Sequence, residues 1–185
     1  MNRSNKSHGH TFAAAALLIL AQSVPYVAAN AAGANDAAVA QRLLELDGES
    51  QIRWKLQRYM ELLTAREWDE YIELFAEDAE IDIVEGVLHG RDAIKQRMAT
   101  ASERMTKAQA GKLQRKRADL LTNVMVDVDG DSATVSSRFV FIAEDGAGGF
   151  QITGSGRYLD TWQRYGDQWL IQYRKVDYDL LAGAN

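Results

Sequence analysis

The 185-residue chain contains no cysteine, is 46% hydrophobic and carries a formal net charge of −5. The lack of thiols excludes disulfides and thiolate chemistry, and the acidic balance argues against nucleic acid or an anionic membrane surface as a partner. The part that follows the N-terminal 29 residues has the length of one domain.

The first 29 residues predict a removable secretory signal. Arg3 and Lys6 precede a mostly apolar run at 12–29, and small residues around Ala29 fit a cleavage site. Pro25 ends the apolar core after about 12–14 residues, which is too short to span a bilayer. We therefore expect an exported, periplasmic protein that does not bind membranes once the signal is removed. The remaining 19 basic and 26 acidic residues would give it a net charge of −7.

Residues 30–50 predict a linker with a short helix at 36–46, which Gly48 interrupts. Apolar residues at helical spacing then predict a stronger helix at 51–63. One face of that helix is formed by Ile52, Leu56, Tyr59 and Leu63.

A sharp corner is expected after this helix, because Thr64 and Glu67 match a capping box. The box predicts a second helix at 65–76. The inner face of that helix would carry Trp68, Tyr71, Ile72 and Phe75.

The rest of the chain predicts a sheet interrupted by one more helix. Residues 79–84 and 87–89 predict a strand and a short return, and residues 91–109 predict a third helix with Ile94, Met98 and Met105 inward. Glycine-containing turns separate four further strands, at 115–128, 132–143, 150–164 and 168–179. Helices followed by an antiparallel sheet predict an α+β fold in one domain at 51–181, with a tail at 182–185.

Strict alternation assigns side chains to the two faces of these strands. In the last hairpin, Trp169, Ile171 and Tyr173 are expected to share a face, and Arg174 is expected to point the opposite way. The same rule places Asp119, Leu121 and Asn123 together on the first of the four long strands, and Tyr158, Asp160 and Trp162 together on the third.

Five parts of the chain together resemble the SnoaL-like group of the NTF2-like superfamily. They are Tyr59 and the stretches 75–79, 86–94, 123–133 and 156–174. The resemblance implies a cone-shaped α+β barrel with a deep apolar pocket, and a homodimer or homotrimer. Scytalone dehydratase, ketosteroid isomerase and polyketide cyclases are members, and other members only bind ligands or partners, so the fold does not settle the function.

The chain departs from the catalytic members of this group at two positions. Where the resemblance implies an aspartate soon after the helix tyrosine, the chain has Thr64. Where it implies a histidine before the strand asparagine, the chain has Asp119. The usual Asp–His dyad is therefore not matched, and an enzyme with this sequence would need a different base.

The candidate catalytic residues are Asp119, Tyr59 and Asn123. Tyr59 lies on an apolar helix face and would donate a hydrogen bond to a substrate oxygen, or be a core tyrosine with a backbone partner. Asp119 would become a base if the pocket desolvated its carboxylate, with Asn123 beside it to hold an oxyanion. Alternatively, Asp119 pairs with Arg117 or Arg138.

Six residues are candidates for substrate binding. Arg138 and Arg174 would neutralise a carboxylate or phenolate, or simply pair with an acid such as Asp160. Tyr158 and Tyr173 would stack on an aromatic ligand, and Trp68 is mostly core. His89, the one histidine after the signal, is a possible base but is more typical of an exposed, idle side chain.

These residues favour a cofactor-independent lyase or isomerase. It would act on a small hydrophobic, aromatic or polycyclic molecule by proton abstraction followed by elimination or isomerisation. No metal site is expected, since one histidine cannot build a multi-histidine site. The alternative is a non-catalytic periplasmic small-molecule-binding or assembly module. Convergence of Asp119 and Tyr59 on one cavity point would favour the enzyme, and an Asp119 paired elsewhere would favour the binder.

Overall fold

The computed structural model describes residues 23–108, 116–145 and 147–181. Residues 1–22 of the predicted signal and the predicted tail at 182–185 lie outside the described residues. The chain forms two compact units, Met1–Leu43 and Leu44–Asn185. The described part of the first unit is helical, and every site discussed below belongs to the second. Within the described residues, no helix is both long and apolar enough to cross a membrane.

Helix α1 runs without a break over Ser23–Ala65, so the predicted linker at 30–36 and the interruption at Gly48 are wrong. Gly48 is buried, and a Cβ atom there would come within 3.2 Å of the Trp169 indole. Glycine costs a helix about 1 kcal/mol relative to alanine. Here it lets the indole approach closely, so it serves packing rather than ending the helix.

The predicted corner between the first two helices exists, but no capping box forms it. Thr64 lies within α1, and helix α2, Trp68–Ile72, begins after Glu67 without a side-chain cap. The chain turns at Arg66, which has a φ of 63°. The capping box is therefore wrong, because the Thr64 hydroxyl donates its hydrogen bond to Asp119 instead. Helix α2 is also shorter than predicted.

Six strands form one mixed sheet in the order β2-β1-β6-β5-β4-β3. Their bounds are Phe75–Ile83, Gly86–His89, Arg117–Asp129, Ser132–Glu144, Phe150–Tyr165 and Gln168–Leu181 for β1 to β6. Strand β1 pairs in parallel with β6, and the other neighbours are antiparallel. Helix α3, Gly90–Ala108, is the third predicted helix, and it packs against β1. The α+β class is confirmed, with a sheet that ends in two edges, β2 and β3.

Two of the β-bulges in this sheet, one in β3 and one in β6, change which side chains of the candidate site face the core. In β3, the pairing slips between Thr122 and Met125. In β6, Thr161 pairs with Tyr173 while Trp162 pairs with Ile171, so Gln172 is the extra residue. Each extra residue reverses the alternation beyond it, since a shift of one residue exchanges the faces of a strand.

The inner face of the sheet and the helices enclose one hydrophobic core. Its largest fully buried side chains include Trp162, Trp169, Phe75, Phe139, Tyr71 and Ile94. Ile52, Leu56, Tyr59 and Leu63 of α1 are buried as predicted, and Met98 is partly buried. The Met105 side chain lies outside the described part of the chain.

Candidate functional site

A cavity of about 410 Å³ opens between the inner face of the sheet, the end of α1 and helix α3. This volume suits a small organic molecule. Most of its wall is apolar, formed by residues such as Leu63, Ile81, Ile83, Leu88, Met98 and Val176. Polar side chains are confined to two places, a buried floor and the cavity mouth.

The floor is a tyrosine–arginine cluster, formed by Tyr59, Tyr71, Tyr158 and Arg174. The Arg174 guanidinium is fully buried and lies between two rings, 4.3 Å from the Tyr59 centroid and 4.2 Å from the Tyr158 centroid. A guanidinium stacked on aromatic faces gains a cation–π attraction that strengthens when water is excluded. The stacking therefore fixes the plane of Arg174 across the floor.

Asp160 balances the charge of this arginine. It lies opposite Arg174 in the pairing of β5 with β6, and its carboxylate accepts bonds from Nε at 2.8 Å and Nη2 at 2.6 Å. Burial alone would lower the pKa of Arg174, but attraction to Asp160 keeps it well above its ordinary value. Arg174 Nη1 is buried and has no hydrogen-bond partner in the described part of the chain. The floor thus holds one charged donor that is still unused.

The tyrosine hydroxyls add a second donor. Tyr71 donates to the Tyr59 hydroxyl at 2.9 Å, and the Tyr158 ring packs edge-on against the Tyr59 ring with 5.9 Å between centroids. Burial raises the pKa of Tyr71 and of Tyr158 well above 10, so both hydroxyls stay protonated at neutral pH. Because Tyr59 accepts this bond and donates none among the described hydrogen bonds, its O–H proton remains for a ligand. The floor is therefore suited to an oxygen atom that accepts hydrogen bonds.

Charged side chains surround the mouth. Arg66, Arg97 and Arg117 line it, and Glu85 is the only carboxylate among the described lining residues. Glu85 accepts a bond from Arg97 at 2.6 Å. Burial raises the pKa of Glu85, but hydrogen bonds to backbone and to Arg97 outweigh it and leave the pKa below its usual value. Glu85 is therefore an ionised carboxylate at neutral pH.

Asp119 and Tyr59 do not converge on one point, contrary to the arrangement expected for a catalytic pair. The Asp119 carboxylate is fully buried, accepts from Arg117 Nε at 2.7 Å and Thr64 Oγ1 at 2.9 Å, and is not among the cavity-lining residues. The pairing with Arg117 is the alternative that the sequence left open. Both carboxylate oxygens are thus occupied by donors of the protein.

The predicted role of Asn123 as an oxyanion donor is wrong. Asn123 is exposed and has a φ of 52° within the β3 bulge. Asparagine tolerates this left-handed conformation better than most residues, which accounts for its presence there. The bulge turns Asn123 away from the face that carries Asp119 and Leu121.

The two candidate arginines lie on opposite faces of the sheet. Arg138 is half-exposed and donates to Asp179 at 2.7 Å, so its predicted role in the pocket is wrong. Arg174 was expected to point away from Trp169 and Ile171, and that is also wrong. The extra residue Gln172 reverses the alternation, so Arg174 shares the inner face with Ile171.

Of the remaining candidates, Trp68 and Tyr158 line the cavity, and their role in substrate binding stays a prediction. Tyr173 instead lies at a shallow groove of the opposite sheet face, with its hydroxyl 3.4 Å from Asp82. His89 is 70% exposed at the edge strand, outside the cavity lining, and contacts Glu80 at 2.9 Å. These positions correct the predicted pocket roles of Tyr173 and His89.

Sequence reasoning missed three parts of the site: Glu85, Arg97 and the polar role of Tyr71. Tyr71 had been placed on an inner helix face, but its hydroxyl bonds to a tyrosine of the preceding helix, twelve residues earlier, which the helical spacing of either helix alone does not reveal. Glu85 lies in the turn between the predicted strand at 79–84 and its return at 87–89, and nothing in the sequence pairs it with Arg97. Arg117 shares the alternation of Asp119, which was a usable signal that it points inward.

Comparisons with known proteins address the family. The model of the SnoaL-like domain matches residues 44–175. A search among curated proteins found no match. Among solved structures, Rv3472 of Mycobacterium tuberculosis, a protein of unknown function, is 26% identical with a TM-score of 0.63, covering 74% of this chain and 79% of its own.

Two structures from Novosphingobium aromaticivorans share the fold. An NTF2-like protein with a cystatin-like fold is 24% identical with a TM-score of 0.66, covering 81% of this chain and 92% of its own. A protein provisionally assigned as a scytalone dehydratase is 23% identical with a TM-score of 0.58, covering 73% and 86%. The family match spans most of the chain and agrees with the α+β architecture, so this protein belongs to the SnoaL-like domain family.

Proposed function

We propose that this protein is a cofactor-independent lyase or isomerase for a small hydrophobic, aromatic or polycyclic molecule. The observation that carries the proposal is the tyrosine–arginine cluster beneath an apolar cavity of about 410 Å³. Its unused donors, one hydroxyl proton and Arg174 Nη1, are buried and held in place. Such a floor would seat a carbonyl or phenolic oxygen of the substrate.

The proposed chemistry places negative charge on that oxygen. When a proton leaves the carbon next to a carbonyl, the C–H electron pair forms a C=C bond and the carbonyl electrons move to oxygen. Preorganised donors aimed at the developing charge typically contribute about 10²–10³-fold in rate each. The enolate then either expels a leaving group, as in a lyase, or takes a proton at another carbon, as in an isomerase.

Glu85 is our candidate for the proton acceptor. It is the carboxylate among the described lining residues, and it is ionised. Its ion pair with Arg97 would hold it at the mouth, where it can exchange the proton with water. Asp119 is a weaker candidate because its two oxygens already accept from Arg117 and Thr64.

The test is a screen of aromatic and steroid-like compounds by ligand-dependent melting, followed by mass spectrometry of each stabilising compound after incubation. We expect at least one compound to be converted by the wild-type protein. Tyr59→Phe and Glu85→Gln should each slow the conversion by about 10²-fold. Stabilising compounds that return unchanged from every incubation would contradict the enzyme proposal.

A second candidate function is a non-catalytic small-molecule-binding protein of the same fold. The specific observation in its favour is that Asp119 is engaged by protein donors outside the cavity lining. A binder predicts stabilisation of the wild-type protein by such compounds without conversion of any of them. Export to the periplasm and assembly as a homodimer or homotrimer are part of either proposal. N-terminal sequencing and light scattering test them.

A further inference from the structure

Three aromatic rings form a row across the inner face of the sheet, with an arginine at each end. The row consists of Phe141 and Phe139 of β4, 4.8 Å apart, and Tyr158 of β5, 4.5 Å from Phe139. Arg117 of β3 lies 5.2 Å from the Phe141 ring, and Arg174 of β6 lies 4.2 Å from the Tyr158 ring. Both arginines and both end rings line the cavity.

At the Arg117 end of the row, the arginine side chain is held by a buried carboxylate. Its Nε–H donates to Asp119, whose side chain is fully buried and is also held by Thr64. Nε is the one nitrogen of Arg117 that donates a described hydrogen bond. Nη1 and Nη2, at the outer edge of the guanidinium, therefore remain for a ligand in the cavity that Arg117 lines. A planar guanidinium fixed in this way matches the two oxygens of a carboxylate. Asp119 thereby acts as a positioning residue for Arg117.

The Arg174 end offers a different kind of contact. Asp160 occupies Nε and Nη2, and only Nη1 remains, on a guanidinium stacked between the rings of Tyr59 and Tyr158. A carboxylate needs two parallel donors, and Arg174 has only Nη1 left to offer. A single carbonyl or phenolic oxygen fits this end better than a carboxylate, because the free groups are donors for one acceptor atom.

We propose that the ligand of this cavity is an aromatic acid with oxygen groups at both ends: a carboxylate at Arg117 and a phenolic or carbonyl oxygen at Arg174. Phe141 and Tyr158, the two rings of the row that line the cavity, would pack against a flat body of two fused or linked rings, and the fully buried Phe139 supports them from within the core. This proposal rests on the proposed function, since it names the substrate class of the same cavity. In this proposal, Arg117 is the residue that distinguishes acids from their neutral analogues.

The test measures binding by calorimetry, so it does not depend on turnover. The probes are 6-hydroxy-2-naphthoic acid, its methyl ester and 2-naphthol, and the proteins are wild type, Arg117→Gln and the matched control Arg157→Gln. Arg157 is an exposed arginine that pairs with Asp177 on the opposite sheet face. Melting curves without ligand establish that each variant is folded.

We expect the acid to bind wild type about tenfold or more tighter than either neutral probe, as one charge-assisted bidentate contact allows. Arg117→Gln should remove this preference while changing the affinity for 2-naphthol by less than about twofold. Arg157→Gln should keep it. Asp119→Asn should weaken the preference without abolishing it, which a merely structural aspartate would not do selectively.

Two results would overturn the proposal: an acid that binds no tighter than its ester, or an Arg117→Gln variant that loses all three probes equally. Failure of the acid to bind at all would overturn it as well. The outcome is separable from that of the lyase or isomerase proposal. Selective binding of the acid without conversion of any compound would keep the ligand class and reject the enzyme. Conversion of neutral compounds independent of Arg117 would do the reverse.

Discussion

Two arginine–aspartate pairs on opposite faces of the same sheet have nearly the same length and very different surroundings. Arg174 and Asp160 meet at 2.6 Å with both side chains 0% exposed. Arg138 and Asp179 meet at 2.7 Å with exposures of 49% and 44%. The contact distance therefore says little about either pair. Burial makes the inner pair a structural necessity and a source of polarity for the cavity, whereas water screens the outer one.

The largest effect should come from breaking the inner pair. Arg174→Met leaves the Asp160 carboxylate buried without its partner, which typically costs about 3–5 kcal/mol of unfolding free energy. Urea denaturation of this variant, compared with wild type, measures the loss. Arg138→Met on the outer face is the matched control and should cost under about 1 kcal/mol. Equal losses in the two variants would contradict the comparison.

The next effect concerns the hydroxyl network. Tyr59→Phe removes the acceptor of the Tyr71 hydroxyl, which is buried. A buried donor without a partner costs about 1–3 kcal/mol, so we expect a loss in that range by the same denaturation. Trp68→Phe is a useful control, since Trp68 lines the cavity without belonging to this network. A Tyr59→Phe variant as stable as wild type would show that the Tyr71 hydroxyl finds another partner.

Alkaline pH should distinguish buried from exposed tyrosines. The pKa of Tyr71 and of Tyr158 is raised well above 10 by burial, so the folded protein keeps two protons that the unfolded chain releases. Stability is therefore fully present below pH 10 and should fall as the pH rises above it. Absorbance of tyrosinate should show these two groups ionising only together with unfolding. Ionisation in the folded state, before any loss of circular dichroism, would be the contrary result.

The smallest effect is expected at His89. Its ring is 70% exposed and its partner Glu80 is half-exposed, so His89→Gln should change stability by less than about 0.5 kcal/mol. The same substitution should leave ligand binding unchanged, because His89 lies outside the cavity lining. A marked loss of binding in His89→Gln would reopen its predicted role as a base.

Alternation and turn chemistry predicted the α+β fold well, because hydrophobic spacing and glycine turns are local signals. Gly130 and Gly166 have φ values of 59° and 62° in the turns where hairpins were expected. Gly48 shows the limit of local rules. A glycine is needed at this helical position because the Trp169 indole packs against it, from a strand about 120 residues later in the sequence.

The site was harder to predict because bulges invert faces. Asn123 and Arg174 were assigned by strict alternation, and each lies beyond or within an extra residue that the alternation does not reveal. For Asp119 the sequence left two roles open, a base and a partner of Arg117, and could not decide between them. Thr64, 55 residues earlier, had been interpreted as a helix cap, yet it is one of the two donors that occupy the carboxylate. Such pairings arise from tertiary contact alone.

The central claim is that the tyrosine–arginine cluster stabilises negative charge on a ligand oxygen. The most direct measurement is an absorbance titration of bound 4-nitrophenol, whose neutral and ionised forms absorb differently, against wild type and Tyr59→Phe. The account predicts that the wild-type protein lowers the pH at which the bound phenol ionises, and that Tyr59→Phe returns it toward the value in water. A bound phenol that ionises at the same or a higher pH than in water would contradict the claim.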